Sequence, residues 1–491
     1  MSLADLLGTL PEIVVHTIDD EVTLDELRAS VDRLSGVLTT LDVVPGQTVA
    51  AMLPNAPATV AALFGTWSAG CVYTPLNPRA ADAELAGQLD ALRPVAVITT
   101  LELSGRFGQG LGRGLHLITT APNLDWSVGA VGSAPDRGSF GSDVALLQFT
   151  SGTTGPPKPV PLRHATVLDL IDRLLAKLRG SSSPAPGRAP MPNLVPLSLS
   201  LWAGIYQVLF AFRAGAGVIL MDRFTPTDFA ALVARHRLRS TVLPPAALTM
   251  ILQEEKVRDL TPLRIVRSIT APLSPVHARR FQETFGALVL NSYGQTELGG
   301  EVVGWSAADA REFGVAKLGS VGRALPGIDV TIRDDEVLVR TPTTAAREID
   351  PAFLERLTED GWFHTGDLGW FDEDGFLWLD GRVSDMINRG GLKVFPGQVE
   401  DVLLAAAGVR EAAVAGVPDA RLGEVPWAFV VRSDDGVSAE GLIAWCRERL
   451  TPYRVPARIV FVDEIPRTEA GKVLKRELTA NAIPRDGLYD N

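Results

Sequence analysis

The chain of 491 residues is 46% hydrophobic and 21% charged, an ordinary globular balance, and is long enough for about two to four domains. A net charge of −12 disfavours nucleic acid or an anionic membrane as partner, while leaving room for a locally basic pocket. Cys71 and Cys446 lie far apart, which fits a reducing compartment and gives no metal-ligand spacing.

In chain order, Met1-Ser2-Leu3-Ala4-Asp5 has no basic region ahead of an apolar core, so no secretory signal is expected. Leu27, Val31, Leu34 and Leu38 recur at helical spacing within residues 24–41. A turn at Pro45-Gly46 leads to a strand over residues 49–53 and a helix over residues 56–69. Further strands are predicted at 72–73, 95–98, 115–118, 144–149, 217–220 and 240–243. Their alternation with helical stretches implies parallel sheets covered by helices. Residues 181–190, rich in Ser, Pro and Gly, read as a mobile surface loop. The apolar stretch 203–220 is interrupted by Arg213 and glycines, so no membrane span is expected and the location is read as cytoplasmic. Residues 328–340 alternate apolar and polar around Asp334-Asp335 and predict a hairpin. Past Gly381 short strands alternate with helices, which puts a domain boundary between Gly381 and Asp385.

The strand at 144–149 runs into Thr150-Ser151-Gly152-Thr153-Thr154-Gly155-Pro156-Pro157-Lys158. Glycines let backbone N–H groups approach a ligand, hydroxyls donate hydrogen bonds and the lysine adds positive charge, a combination suited to a polyphosphate. A Walker-type loop is a poor fit. Lys158 sits between prolines that have no N–H to offer, and no Ser or Thr follows it to hold Mg²⁺. The loop taken alone also reads as a plain surface turn.

Four further segments accompany that loop: Asn291-Ser292-Tyr293-Gly294-Gln295-Thr296-Glu297, Trp362-Phe363-His364-Thr365-Gly366-Asp367-Leu368, Gly381-Arg382 continuing through Asn388-Arg389-Gly390-Gly391, and Pro466-Arg467-Thr468 to Gly471-Lys472. As an ordered set they resemble the adenylate-forming enzymes, a superfamily of acyl-CoA synthetases, peptide-synthetase adenylation domains and luciferases. The resemblance runs over residues 24–478 and is nearest to the acyl-CoA synthetases. It implies an α/β fold: a large N-terminal domain of helix-covered sheets (residues 1–381) with a small β-barrel-like subdomain, and a small mobile α+β C-terminal domain (residues 382–491). It also implies ATP, Mg²⁺ and coenzyme A as cofactors and a small-molecule carboxylic acid as substrate, with an acyl carrier protein or an amine as the alternative acceptor. A non-catalytic nucleotide-binding relative is the alternative of another class.

On this resemblance Thr150, Ser151, Gly152, Thr153, Thr154, Gly155 and Lys158 hold phosphates, and Asn291, Ser292, Tyr293, Gly294 and Gln295 form the adenine segment. Tyr293, beside a glycine, offers a flat face for the purine, or is a core tyrosine. Glu297 is the implied Mg²⁺ ligand, with Thr296 beside it in the catalytic set; the pair also suits a helix start. Asp367 and Arg382 are assigned to the ribose, although Gly-Asp is also a common turn. Lys472 would bridge a carboxylate and the α-phosphate, two anions that repel each other. Gly391 is implied at the pantetheine channel, where a missing side chain gives room. Ser384 stands where many members carry Asp or Lys.

The implied acid pocket comprises Leu199, Trp202, Ile269, Thr270, Ala271, Ser292 and Gly299. Leu199 replaces a usual histidine, and Ile269 and Ser292 replace usual glycines. Side chains at glycine positions shorten a channel, which predicts a small or medium acid. No aspartate lies in residues 197–202 to pair an α-ammonium, which weakens an amino-acid substrate.

Overall fold

The computed structural model describes residues 2–8, 10–107, 114–121, 123–132, 139–149, 159–179, 190–342, 354–434, 436–468 and 471–482. The phosphate-loop residues Thr150, Ser151, Gly152, Thr153, Thr154, Gly155 and Lys158 lie outside them, as does most of 181–190.

The largest sheet has seven strands, in the order Trp126–Ala130, His116–Thr120, Ala96–Thr100, Thr48–Met52, Val72–Pro75, Val144–Phe149 and Pro159–Arg163. Its five inner strands are parallel and its two edge strands antiparallel. A parallel strand covered on both faces has no solvent side, so Thr48–Met52 is buried along its whole length and reads as a continuous apolar run. Helix Leu24–Thr40 starts on a reciprocal Thr23–Glu26 capping box and buries the predicted Leu27, Val31, Leu34 and Leu38. It lies against helix Pro57–Ser68 at Gly65, where a Cβ would come 2.8 Å from Leu34 Cδ2. Only glycine lets the helices approach this closely.

A second sheet of three parallel strands, Ser240–Leu243, Ile265–Ser268 and Leu288–Asn291, carries two of the segments singled out above at its C-terminal ends. A third joins Asn193–Val195, Val218–Leu220, Ile13–His16 and Glu21–Thr23. The predicted hairpin is present as Asp329–Arg333 and Glu336–Arg340, and continues into the antiparallel strands Phe363–Phe371 and Leu377–Arg382. The last sheet, built from Ile387–Arg389, Leu392–Val394, Val409–Asp419, Gly423–Arg432 and Arg458–Phe461, has its own apolar core. Among the described residues no strand before Val383 pairs with one after it. The fold is thus a large sheet-rich N-terminal part followed by a smaller C-terminal part. Among the described residues no helix is long and apolar enough to cross a membrane.

The two parts meet where helix Pro275–Phe285 faces helix Pro396–Leu404. Ser274 caps the first helix and donates to Asp401 Oδ1 at 2.6 Å, Arg280 donates to the Leu404 carbonyl at 3.3 Å, and Val276 packs on the C-terminal core. Burial, reinforced by the Glu400 charge, pushes the Asp401 carboxyl up to about 6 against the opposing Ser274 hydrogen bond. The folded chain therefore holds a proton that the unfolded chain releases at lower pH. This contribution is full below the ordinary carboxylate range and is lost as pH rises through about 6. Asp401→Asn is expected to flatten that dependence and to raise stability at neutral pH by about 1 kcal/mol. Thermal melting of both proteins from about pH 4 to about pH 8 measures it.

Candidate active site

Strand Phe363–Phe371 and strand Leu377–Arg382 run antiparallel with Asp367 directly opposite Arg382. The register itself creates the contact: Arg382 Nε donates to Asp367 Oδ1 at 3.0 Å. The other carboxylate oxygen accepts from Tyr293 Oη at 2.7 Å and from Gln295 Nε2 at 2.6 Å. Gln295 Nε2 also reaches the Thr365 carbonyl at 3.0 Å. Tyr293 and Gln295 share one short strand and Asp367 lies on another sheet, so this network ties the second and third segments together. Tyr293 is 7% exposed and its ring belongs to the main core, while Gly294 beside it is exposed.

Glu297 lies in a short 3₁₀ turn, Thr296–Leu298, closed by Gly299 in the left-handed region at φ 87°. Its half-buried carboxylate faces Arg356 at 3.5 Å. Arg356 is itself held by the His364 and Thr365 carbonyls at 2.9 and 3.0 Å and lies over the Phe363 ring. Among the described residues this one long ion pair leaves the Glu297 oxygens free acceptor capacity. That fits Mg²⁺, which is commonly bound through one or two carboxylates together with substrate phosphates.

Lys472 arrives from the C-terminal part. Its loop is closed by Thr468 N–H to the Lys472 carbonyl and Gly471 N–H to the Thr468 carbonyl, both at 2.8 Å, and by a bridge between Arg467 and Val473. Gly471, at φ 81°, lies against helix Pro245–Gln253, where a Cβ on it would meet Ala246 Cβ at 3.5 Å. The ammonium is held below the ordinary lysine range, first by burial and then by the Arg382 charge, with Glu297, Asp367 and Asp385 opposing. Arg382, Asp367 and Glu297 among them are the ribose and metal candidates. Three stretches distant in sequence thus meet around one cation, and a docked loop delivers it.

Gly391 is not part of this gathering. It sits exposed at the tip of the hairpin joining Ile387–Arg389 to Leu392–Val394, with φ 88° and nothing within 4 Å of a Cβ. Ser384 lies in the 3₁₀ turn Val383–Asp385 and donates to Asp385 Oδ1 at 3.3 Å.

Of the acid-pocket candidates, Ile269, Thr270, Ala271 and Ser292 follow directly on the C-terminal ends of two strands of the second sheet, the edge at which open parallel sheets bind ligands. Ser292 N–H donates to the Ser268 carbonyl at 3.0 Å, so the adenine segment and the strand before Ile269 lie side by side. Thr270 adopts φ 78°, a costly conformation for a β-branched residue, beside Ala271. Leu199 and Trp202 are buried. Spacing gave no sign of what fixes them. Asn55, 144 residues from Leu199, accepts from the Leu199 N–H at 2.7 Å and donates to the Leu197 and Met221 carbonyls at 2.8 and 3.0 Å. Gln148, at the end of the strand preceding the phosphate loop, donates to the Ser200 carbonyl at 3.1 Å.

Known proteins share both the sequence and this architecture. The family profile described as AMP-binding enzyme matches residues 10–347, and that of the AMP-binding enzyme C-terminal domain matches residues 398–472. The chain is 32% identical to the feruloyl-CoA synthase of an Amycolatopsis species, over 93% of each chain. It is 31% identical to 4-coumarate--CoA ligase-like 5 of Oryza sativa subsp. japonica, over 96% of this chain and 87% of the other. Among solved structures, ATP-bound MatB from Rhodopseudomonas palustris superposes with TM-score 0.85 at 26% identity, over 98% of this chain and 99% of the other. The amide bond synthetase McbA from Marinactinospora thermotolerans superposes with TM-score 0.84 at 28% identity, over 98% and 100%. The chain belongs to the AMP-binding enzymes, and it is an adenylate-forming acid–thiol ligase of the acyl-CoA synthetase type that works with ATP, Mg²⁺ and coenzyme A.

Proposed function

We propose that the N-terminal part, residues 1–381, binds ATP and a small or medium carboxylic acid, and that residues 382–491 form a mobile domain whose Lys472 completes the site. The acid carboxylate attacks the α-phosphorus of ATP, a new P–O bond forms and pyrophosphate leaves. The coenzyme A sulfur then attacks the acyl carbonyl, its thiol proton is released and AMP departs with the C–O bond electrons. The observation that carries this reading is that Arg382, Asp367 and Glu297, from separate segments, all act electrostatically on the Lys472 ammonium, with Arg382 bonded to Asp367.

Lys472 bridges the incoming carboxylate and the α-phosphate, lowering the repulsion between two anions. Asp367 accepts from the ribose hydroxyls and Arg382 orients Asp367 and the ribose together. Glu297 would hold Mg²⁺, which when bound supplies positive charge to the phosphate oxygens. Thr150, Ser151, Thr153, Thr154 and Lys158 cradle the outer phosphates, and the Tyr293–Gly294 segment seats the purine. Leu199, Ile269 and Ser292 set the length of the acid. A Lys472 seated between carboxylate and phosphate would obstruct the thiol, so thiol attack requires the C-terminal domain to turn about residues 383–385 and to bring Gly391 toward the acyl group. The enzyme acts in the cytoplasm.

An amine as acceptor is the second reading, favoured by the similarity to an amide bond synthetase, with a carrier protein as the remaining alternative. Product analysis separates the two. Acid, ATP and Mg²⁺ are incubated with coenzyme A, a phosphopantetheinyl carrier protein or an amine. The expected result is an acyl-CoA with equal AMP, whereas acyl-carrier or amide with no acyl-CoA contradicts the coenzyme A assignment.

A further inference from the structure

A buried polar cluster joins the acid-pocket candidates Trp202 and Ser292 to Arg267, Glu301, Tyr206 and Ser268, four residues given no role above. Arg267, on strand Ile265–Ser268, and Glu301, on strand Gly300–Gly304, form a close ion pair with side chains 14% and 8% exposed. Arg267 engages Glu301 Oε2; Glu301 Oε1 has no partner among the described residues. The same is true of Tyr206 Oη, Trp202 Nε1, Ser268 Oγ and Ser292 Oγ. Trp202, Tyr206, Ser268 and Glu301 are all at least nine-tenths buried.

These atoms form one neighbourhood. Trp202 and Tyr206 rise one turn apart on helix Trp202–Arg213, with ring centroids 5.6 Å apart. A Cβ on Gly300 would meet the Tyr206 ring at 3.1 Å, one residue from Glu301. A Cβ on Gly304 would meet both Glu301 Oε1 and, at 3.5 Å, Ser292 Oγ. The Tyr206 phenol is pushed up by burial, then by the Glu301 charge, with Arg267 opposing. Ser292 and Ser268 are joined by their backbone hydrogen bond. Buried polar atoms are nearly always hydrogen-bonded in a working protein, so five of them beside a substrate pocket call for a partner.

We propose that this cluster reads the far end of the acid and selects substrates that carry a neutral hydroxyl there. The inference rests on the acid ligase reading above. A hydroxyl both donates and accepts, which matches Glu301 Oε1 as acceptor and Tyr206 Oη and Trp202 Nε1 as donors. Arg267 and Glu301 cancel each other's charge. A distal carboxylate would add an uncompensated anion beside Glu301, and a distal ammonium an uncompensated cation beside Arg267 and Lys177. Lys177 feels both members of the pair, and its amine, lowered to about 8 mainly by burial, already donates to the Arg323 and Ala324 carbonyls. A hydrocarbon end would displace water and leave the cluster without partners. Sites built around a substrate hydroxyl reject the analogue lacking it by large factors.

The test uses the full-length enzyme and acids matched in length, ending in hydroxyl, methyl, carboxylate or ammonium, with kcat/KM read from acid-dependent pyrophosphate exchange. The hydroxylated acid is expected to exceed its methyl counterpart by about 10²-fold. Tyr206→Phe, which keeps the ring, is expected to reduce that ratio about tenfold, chiefly through the KM of the hydroxylated acid. Ser292→Ala serves as a second probe should Tyr206→Phe not fold, and is expected to reduce the ratio in the same way. Equal use of the hydroxyl and methyl acids, preference for a charged end, or a ratio that neither substitution changes overturns the inference while exchange itself leaves the ligase reading standing. Absence of exchange with every acid overturns the ligase reading and this inference with it.

Discussion

Lys472→Ala is expected to lower acid-dependent pyrophosphate exchange by about 10²–10³-fold, the usual loss when one preorganised charge contact to a transition state is removed. Binding of ATP, measured by calorimetry, is expected to persist, because phosphate and ribose contacts come from other segments. Thioester formation from a pre-made acyl-adenylate is also expected to persist, since Lys472 acts on the first step alone. Loss of both steps together would assign the lysine a general structural role. The pH profile adds an independent check. Burial and the Arg382 charge hold the ammonium below the ordinary lysine range, so exchange is expected to fail on the alkaline side earlier than an unperturbed lysine would dictate. Lys472→Ala removes that limb from the residual activity.

Asp367→Asn removes the charge on which three donors converge: Arg382 Nε, Tyr293 Oη and Gln295 Nε2. Hydrogen bonds to a charged group are each worth about 1.5–3 kcal/mol, so kcat/KM for ATP is expected to fall about 10–100-fold. Two of the donors carry the adenine segment and the third ends the strand before the hinge turn. The defect therefore belongs in nucleotide binding, as a raised KM for ATP with an unchanged KM for the acid. A change confined to the KM for the acid would contradict the assignment.

The sequence was most legible where chemistry is local. The capped helix Leu24–Thr40 and the fully buried strand Thr48–Met52 declare themselves by period and by an unbroken apolar run, and the Asp334-Asp335 hairpin by its alternation. Gly391 was singled out for the room a missing side chain leaves, whereas its positive φ, shared with Gly390, appears only in the folded hairpin. Tertiary pairings were not legible. Arg356 faces Glu297 across 59 residues and Asn55 orders Leu199 across 144, and no spacing rule encodes either. No motif or spacing singles out Arg267, Tyr206 or Glu301, because only the packed sheets and helix bring them together. Tyr293 was singled out for its aromatic face; that its hydroxyl binds Asp367 depends on a strand 74 residues away.

The most direct measurement is exchange of labelled pyrophosphate into ATP by the full-length protein with Mg²⁺, run against a panel of carboxylic acids with no coenzyme A present, alongside Lys472→Ala. Label is expected to enter ATP only when an accepted acid is supplied, and scarcely at all in the variant. Label that enters without acid, or equally in both proteins, would contradict a lysine that joins carboxylate to phosphate.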